Sequence, residues 1–409
     1  MGLTDQRISG ALCQVGRRRW PVLAFAAFTM TVVVLVSVGS YRPDIYDPVR
    51  HAATKLKDHV RGGQDRAKSH WAASNRTVGY EGAASNRTLG LESIQFINMD
   101  YRYDRFDSLA IQCYLSDIEV QTRPGFPKDK AGSEMVGFPP TSSPARLGPP
   151  EVATWRAHAT IWQQMLLKRS PAVLIIESDA VWDTQIRRIM GNLNGPFLDL
   201  LRADNPDSKI VASQDDPWAA RSGLWDVIGV GQCGDHWRDD TGFRLYDDEF
   251  AARGSRDWFG HDLAGKRVVY RANGMVCTTG YIVSLKGAAK LLVRTAMNLN
   301  EPIDLIINMM IKTHNLVGYN VQRQPIAQWV YSSGLGMESR GANSDIRPNG
   351  SESSQSGDDG SREKYPDAEK KGSVWEIKPQ YAGVDFPDFG LGQAWEKVAE
   401  TKTKLHFTD

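Results

Sequence analysis

Residues 172–183 read AVLIIESDAVWD, and this stretch decides the fold. Five apolar positions, Ala172 to Ile176, run straight into Glu177, Ser178 and Asp179, with Asp183 four residues further on. An apolar run without alternation is the pattern of a strand covered on both faces, as in an α/β sheet. Glu177 and Asp179 stand two apart on an extended chain, so both side chains leave on one side and can reach one cation. Hard oxygen ligands suit Mg²⁺ or Mn²⁺, ions commonly held by one or two carboxylates together with substrate phosphates. Read alone, the same acids also suit the cap of a helix starting near Thr184, or a surface turn.

Working outward, strand and helix patterns alternate. Ser93–Asn98, Ile118–Gln121, Ala172–Glu177, Asp226–Val230, Gly280–Ser284 and Gly318–Gln322 read as strands. Asp104–Ser116, Val152–Arg169, Thr184–Arg202, Lys286–Met297 and Ile303–Thr313 read as helices, the third interrupted at Gly195-Pro196. Residues 123–150 hold seven prolines and four glycines and predict a long loop of the kind that serves as a lid or gate. A second polar loop runs to about Lys266. The alternation predicts an α/β domain, a mostly parallel sheet flanked by helices. Ligands of such sheets bind beyond the carboxyl ends of the strands, where Glu177 and Asp179 lie.

The N-terminus carries Arg17-Arg18-Arg19 and then an uncharged 18-residue stretch, Val22 to Gly39, bracketed by Trp20 and Tyr41. As a helix the bracketed segment spans roughly 33 Å, enough to cross a bilayer. The arginines belong on the cytosolic side, which places the remainder in the lumen or outside. A cleaved signal peptide ending at Ser37-Val38-Gly39 is the alternative, and it too exports the chain. The expected organisation is a tail (1–20), a transmembrane signal-anchor (21–41), a polar stem (42–90), a folded domain (91–347), a low-complexity segment (348–372) and a C-terminal segment (373–409). Asn75-Arg76-Thr77 and Asn86-Arg87-Thr88 are N-glycosylation acceptors within a duplicated AASNRT, and Asn349-Gly350-Ser351 is a third. Past the anchor lie Cys113, Cys233 and Cys277, which allow one disulfide and leave one thiol. With 49 basic and 48 acidic residues, net charge gives no reason to expect nucleic acid as a partner.

Other groups invite chemistry. Arg102 and Arg105 open a helix, where cations oppose the dipole and a bound phosphate offsets the cost; pairing with Asp100 and Asp104 would do so as well. His158 shares a helix face with Trp155, Trp162 and Met165, as a core histidine or as a base aimed at a site. Asp304 opens a helix behind Pro302, as a first-turn acid or as the base an acceptor hydroxyl needs. Asp235-His236, Asp239-Asp240, Asp247-Asp248-Glu249 and His261-Asp262 lie in the polar loop without metal-ligand spacing.

Several segments, in order, resemble glycosyltransferase family 25, the group of lipopolysaccharide and procollagen galactosyltransferases. Ile97-Asn98-Met99-Asp100 with Arg102, Asp104 and Arg105 is similar to that family's I-N-L-D-x-R-x-D-R. Trp155-Arg156-Ala157-His158 stands where the family has its Ser-His helix, without the serine. Glu177-Ser178-Asp179 resembles its E-D-D strand end, with Ser178 in the middle position. Trp225-Asp226-Val227-Ile228 through Gly231 resembles W-D-x-x-x-x-G. Gly280–Ser284 with Lys286–Leu292, Pro302-Ile303-Asp304 and Pro325–Gln328 complete the order, over about residues 91–330. The resemblance implies a GT-A-like, Rossmann-type domain of the Golgi or endoplasmic reticulum. It would move galactose or glucose from a UDP-sugar to a hydroxyl on a glycan or glycoprotein, with Mn²⁺ or Mg²⁺. It implies the metal on Glu177 and Asp179, the nucleotide sugar on Asn98, Asp100, Arg102, Arg105 and Asp226, and Asp304 or His158 as base. Two other readings are a non-catalytic luminal protein that binds glycan or a partner enzyme, and a phosphodiester or sulfate hydrolase built on the acidic loop at 235–262.

Overall fold

The structure is a computed structural model that describes residues 86–132, 137–142, 147–234, 241–332, 373–378, 384 and 386–403. The tail, the anchor, most of the stem, the sequons at Asn75 and Asn349 and the low-complexity segment lie outside the described residues. Among the described residues no helix is long and apolar enough to cross a membrane.

In chain order the elements are β1 (Ser93–Asn98), α1 (Tyr103–Ser116), β2 (Gln121–Pro124), α2 (Lys128–Gly132), α3 (Pro149–Lys168), β3 (Ala172–Glu177), β4 (Ala180–Trp182) and α4 (Ile186–Asp204). Then come β5 (Val227–Gly229), β6 (Phe243–Asp247), β7 (Asp257–Trp258), β8 (His261–Asp262), β9 (Lys266–Arg271), β10 (Gly280–Ser284) and α5 (Leu285–Met297). The last are α6 (Ile303–Lys312), β11 (Gly318–Gln322), β12 (Ile326–Tyr331), β13 (Trp375–Ile377) and α7 (Ala394–Val398).

An eight-stranded sheet in the order β2-β1-β3-β10-β5-β11-β9-β6 forms the centre. It corrects the expectation of a mostly parallel sheet: the fold is α/β but the sheet is mixed. β2–β1, β1–β3 and β5–β11 pair parallel, whereas β10 runs against both β3 and β5, and β9 against both β11 and β6. Hydrophobic patterning reports which faces are covered and is blind to strand direction.

Both faces are covered, as the unbroken apolar run in β3 requires. Leu174 and Ile176 of β3 and Ile282 of β10 join a core with Ile186, Met190 and Leu193 of α4 and Leu109 of α1. Val173, Ile175, Tyr281 and Val283 face the other way, into a core with Trp155 and Trp162 of α3, Leu291 of α5 and Ile306 of α6. Gly287 lets α5 sit on the start of β5, because a Cβ there would meet the Asp226 carbonyl oxygen at 2.3 Å. A second sheet, β13-β12-β4, extends the body past β3. Its apolar cluster draws Phe386 and Leu391 from the C-terminal segment, which therefore packs back on the domain.

Several boundaries move. Helix α4 continues through Pro196 instead of breaking there, because Leu193, Phe197, Leu200 and Leu201 are all fully buried along one face. β2 starts three residues later than expected. The polar loop before Lys266 holds β6 and the β7–β8 hairpin, and β9 and β12 were not anticipated. The stem ends sooner than residue 90: Leu89 is buried and its carbonyl accepts the Trp218 indole N–H at 2.9 Å. Phe197 is ringed by Trp218, Trp225 and Tyr319 at centroid distances of 5.8, 5.9 and 5.3 Å. Phe197→Ala is expected to cost about 3–5 kcal/mol of stability in urea unfolding.

Candidate functional site

β1, β2 and β3 run parallel, so their carboxyl ends finish together: Ile97 pairs with Glu177, and Asn98 with Pro124. β10, antiparallel, starts where they stop, with Gly280 opposite Ile176. A cavity of about 120 Å³ opens at this edge, walled by α3 through Ala157 and His158, and by Tyr101, Gly125 and Phe126. Glu177, Ser178, Asp179, Asn98 and Arg105 line it. The chain turns at Ser178-Asp179 into β4, whose pairing with β12 fixes that turn.

The three acids of the opening stretch separate by role. Asp183 is fully buried away from the cavity lining; its oxygens accept Gln185 N–H at 2.8 Å and Asp388 N–H at 2.9 Å. It orders the entry to α4 and anchors the C-terminal segment. Glu177 and Asp179 both line the cavity. Glu177 Oε1 accepts the Thr278 hydroxyl at 2.5 Å and lies 3.4 Å from His158 Nε2. Asp179 is 8 % exposed; its Oδ2 accepts Gln328 Nε2–H at 2.6 Å and lies 4.0 Å from Arg105, while its Oδ1 is buried without a hydrogen-bond partner. Arg105 also donates to the Ser178 hydroxyl.

The two carboxyls are driven apart electrostatically. Burial pushes Glu177 up, but the adjoining His158 ring, the Thr278 hydroxyl and the Arg105 charge outweigh it and hold Glu177 below the ordinary carboxylate range. Burial also pushes Asp179 up; Arg105 pulls it back, the Glu177 charge pushes it up again, and the net is a carboxyl above its ordinary range. A cation beside Asp179 Oδ1 would relieve that penalty. Among the described residues no group of three His, Cys, Asp or Glu side chains converges on a metal position. Two carboxylates with an orphaned buried oxygen fit an oxygen-ligated Mg²⁺ or Mn²⁺ whose remaining positions go to water or substrate phosphate.

The other expected residues divide. Asn98 is 1 % exposed and lines the cavity; its Nδ2–H is spent on the Arg102 carbonyl, and its Oδ1 has no hydrogen-bond partner. Arg102 is not part of the lining: its guanidinium makes a two-pronged bond to Asp104, at 2.9 and 2.8 Å. Asp100 is exposed on the turn after β1 and does not line the cavity. Asp226 is at the far end of the sheet, beside Ser284, which pairs with Ala172 at the start of β3. There Asp226 accepts from Lys290 at 2.5 Å and from Val317 N–H at 2.8 Å, joining α5 to the β5–β11 pair. Asp304 is outside the cavity lining but close enough to Glu177 to feel its charge. Its carboxylate accepts the Leu305 and Cys277 N–H groups, and burial together with the Glu177 charge leaves it above its ordinary range.

Among the described residues the acidic loop offers no competing centre. Asp248 is buried against Arg267 at 2.5 Å, Asp247 pairs with Lys266, and Asp262 folds its own turn by accepting Arg256 and Ala264 N–H. Asp235, His236, Asp239 and Asp240 lie outside the described residues. Cys233 and Cys277 form the disulfide, and burial pushes the leftover Cys113 thiol up to about 12, away from reactivity. Sequence reading missed Thr278, Tyr281 and Gln328. The antiparallel run of β10 and β12 returns those residues to the cavity end, and strand direction leaves no signal in the sequence.

Fold and site together define an α/β protein with an acid-lined cavity at the carboxyl edge of a mixed sheet. No known protein-family model matches the chain, and no curated protein matches it.

Asp104 makes a pH test. Burial pushes it up, but the Arg102 and Tyr331 hydrogen bonds and the arginine charges outweigh that and bring it from 3.8 to about 2. A carboxyl depressed in the fold stabilises above its unfolded pKa and loses that stabilisation as pH falls toward the folded one. Asp104→Asn is therefore expected to be less stable than wild type at pH 7, with the difference shrinking below about pH 4 in urea titrations.

Proposed function

We propose that the chain is a glycosyltransferase that moves a hexose, galactose or glucose, from a UDP-sugar to a hydroxyl of a glycan or glycoprotein. The observation that carries this reading is Asp179: buried, raised in pKa, one oxygen without a partner, and beside both a second carboxylate and a buried arginine in one cavity. An anionic ligand bearing a divalent cation matches that arrangement, because the cation takes the carboxylates and the anion takes Arg105. The GT-A-like domain type of family 25 is part of this proposal, supported by the convergence of Asn98, Arg105, Glu177 and Asp179.

Bound Mn²⁺ or Mg²⁺ would supply Lewis-acid neutralisation of a departing diphosphate. Glu177 and Asp179 would hold it, Asn98 and Arg105 would orient the nucleotide sugar, and Met99 and Phe126 give the cavity an apolar wall. Asp304 and His158 are the two candidates for the base that takes the acceptor's proton. Arg102, Asp100 and Asp226 leave the nucleotide site in this scheme: the first holds Asp104, the second is exposed between the lining residues Met99 and Tyr101 without lining the cavity itself, and the third is at the far end of the sheet. We further propose that residues 21–41 anchor the chain in a Golgi or endoplasmic reticulum membrane with the catalytic body luminal. The Cys233–Cys277 disulfide suits that oxidising side.

Purified chain is to be incubated with a panel of UDP-sugars and Mn²⁺ and scored for UDP release. Asp179→Ala is expected to lower release at least about a hundredfold with little change in thermal unfolding. Release by that variant at the wild-type rate would remove the metal role. Isothermal titration with UDP should show binding that needs Mn²⁺; UDP binding without turnover on any sugar would favour the non-catalytic binding protein.

A further inference from the structure

We infer that Tyr281 and Trp162 lock His158 as its Nε2–H tautomer, so that it turns an N–H toward Glu177 and is not the base of the reaction. His158 is wholly buried on α3, with Nδ1 2.9 Å from the Tyr281 hydroxyl; Nε2 lies 3.4 Å from Glu177 Oε1 without an aligned hydrogen bond. The same hydroxyl lies 3.2 Å from Trp162 Nε1. An indole N–H only donates, so Trp162 occupies a lone pair of the Tyr281 oxygen and cannot receive its hydrogen. The hydroxyl hydrogen is buried and needs an acceptor, and His158 Nδ1 is the remaining neighbour that can accept it. Nδ1 is thus bare, the ring hydrogen sits on Nε2, and Nε2 faces the carboxylate.

The alternatives each leave conflicts. With the hydrogen on Nδ1, the Tyr281 hydroxyl hydrogen has no acceptor and a bare Nε2 lone pair confronts Glu177. The imidazolium strands the same hydroxyl hydrogen. Turning the ring over sets carbon atoms against both the hydroxyl and the carboxylate. The ring stacks on Tyr281 with centroids 5.7 Å apart at 24°, which holds its plane. A nitrogen already carrying a hydrogen has no lone pair to take a proton from an acceptor, so the base role passes to Asp304. Trp162 and Tyr281 become positioning residues acting on Glu177 through His158. The catalytic meaning rests on the transfer reading above; the tautomer does not.

The test is a long-range proton–nitrogen correlation spectrum of the full chain carrying ¹⁵N-histidine, at neutral pH. The His158 signal is identified by its loss in His158→Gln or by the movement of its Nδ1 resonance in Tyr281→Phe. A pyridine-type Nδ1 with a pyrrole-type Nε2 is expected. A pyrrole-type Nδ1, alone or together with a pyrrole-type Nε2, overturns the inference, and this reading needs no turnover. Where UDP release is measurable, His158→Leu is expected to lower it and His158→Gln, whose amide still donates, to recover most of that loss. A glutamine variant as impaired as the leucine variant, about a hundredfold or more, would mark a lost base and overturn the assignment. Absence of UDP release from wild type on every sugar would sink the transfer reading and leave the spectrum to decide the tautomer.

Discussion

A carboxylate taken out of water has to be matched by something, and the open end of this sheet is organised by that demand. Asp179 follows a strand covered on both faces, so the chain cannot carry it back to solvent before the turn into β4. Arg105 comes from α1 on one side of the sheet and Gln328 from the second sheet to meet one of its oxygens. The other oxygen is buried with no hydrogen-bond partner, on a side chain that lines the cavity. Glu177, one residue pair away, is treated differently: Thr278 and His158 hold it on one oxygen and keep it ionised. Two acids on the same turn therefore end up with opposite proton affinities, the separation that acid and metal chemistry draws on.

Much of the framework was legible because apolar patterning reports burial. The run at 172–176 predicted a strand with two covered faces, and β3 has them; β10 and β11 fall where the sequence placed them. The stripe of Trp155, His158, Trp162 and Met165 faces a core as expected. Direction was not legible. Gly280–Ser284 reads the same in either sense, yet its antiparallel run is what delivers Thr278 to Glu177 and Tyr281 to His158. β6 and β9 were hidden in a stretch whose charge suggested loop, because β6 is a half-exposed edge strand beside β9.

The candidate site was legible in its acids and much less so in its cations. Glu177 and Asp179 declared themselves by spacing alone. Arg102 and Arg105 looked equivalent at three residues apart, but a neighbouring Asp104 at two residues' distance captures the first and leaves the second for the cavity. Asp226 opens a strand whose sense puts it at the opposite edge, where it holds an amide and a lysine. Resemblance in order along the chain could place these residues near strand ends without saying which end of the sheet each strand end occupies.

The pairing of β12 with β13 has one further result. Ser332 N–H donates to the Val374 carbonyl at 2.8 Å, so the two ends of the forty-residue stretch 333–372 are brought to one place. Closing such a loop depends on its length only logarithmically, about 0.6 kcal/mol per doubling. Lengthening residues 333–372 therefore extends a closure whose two ends β12 and β13 already hold together, at a cost that grows only slowly.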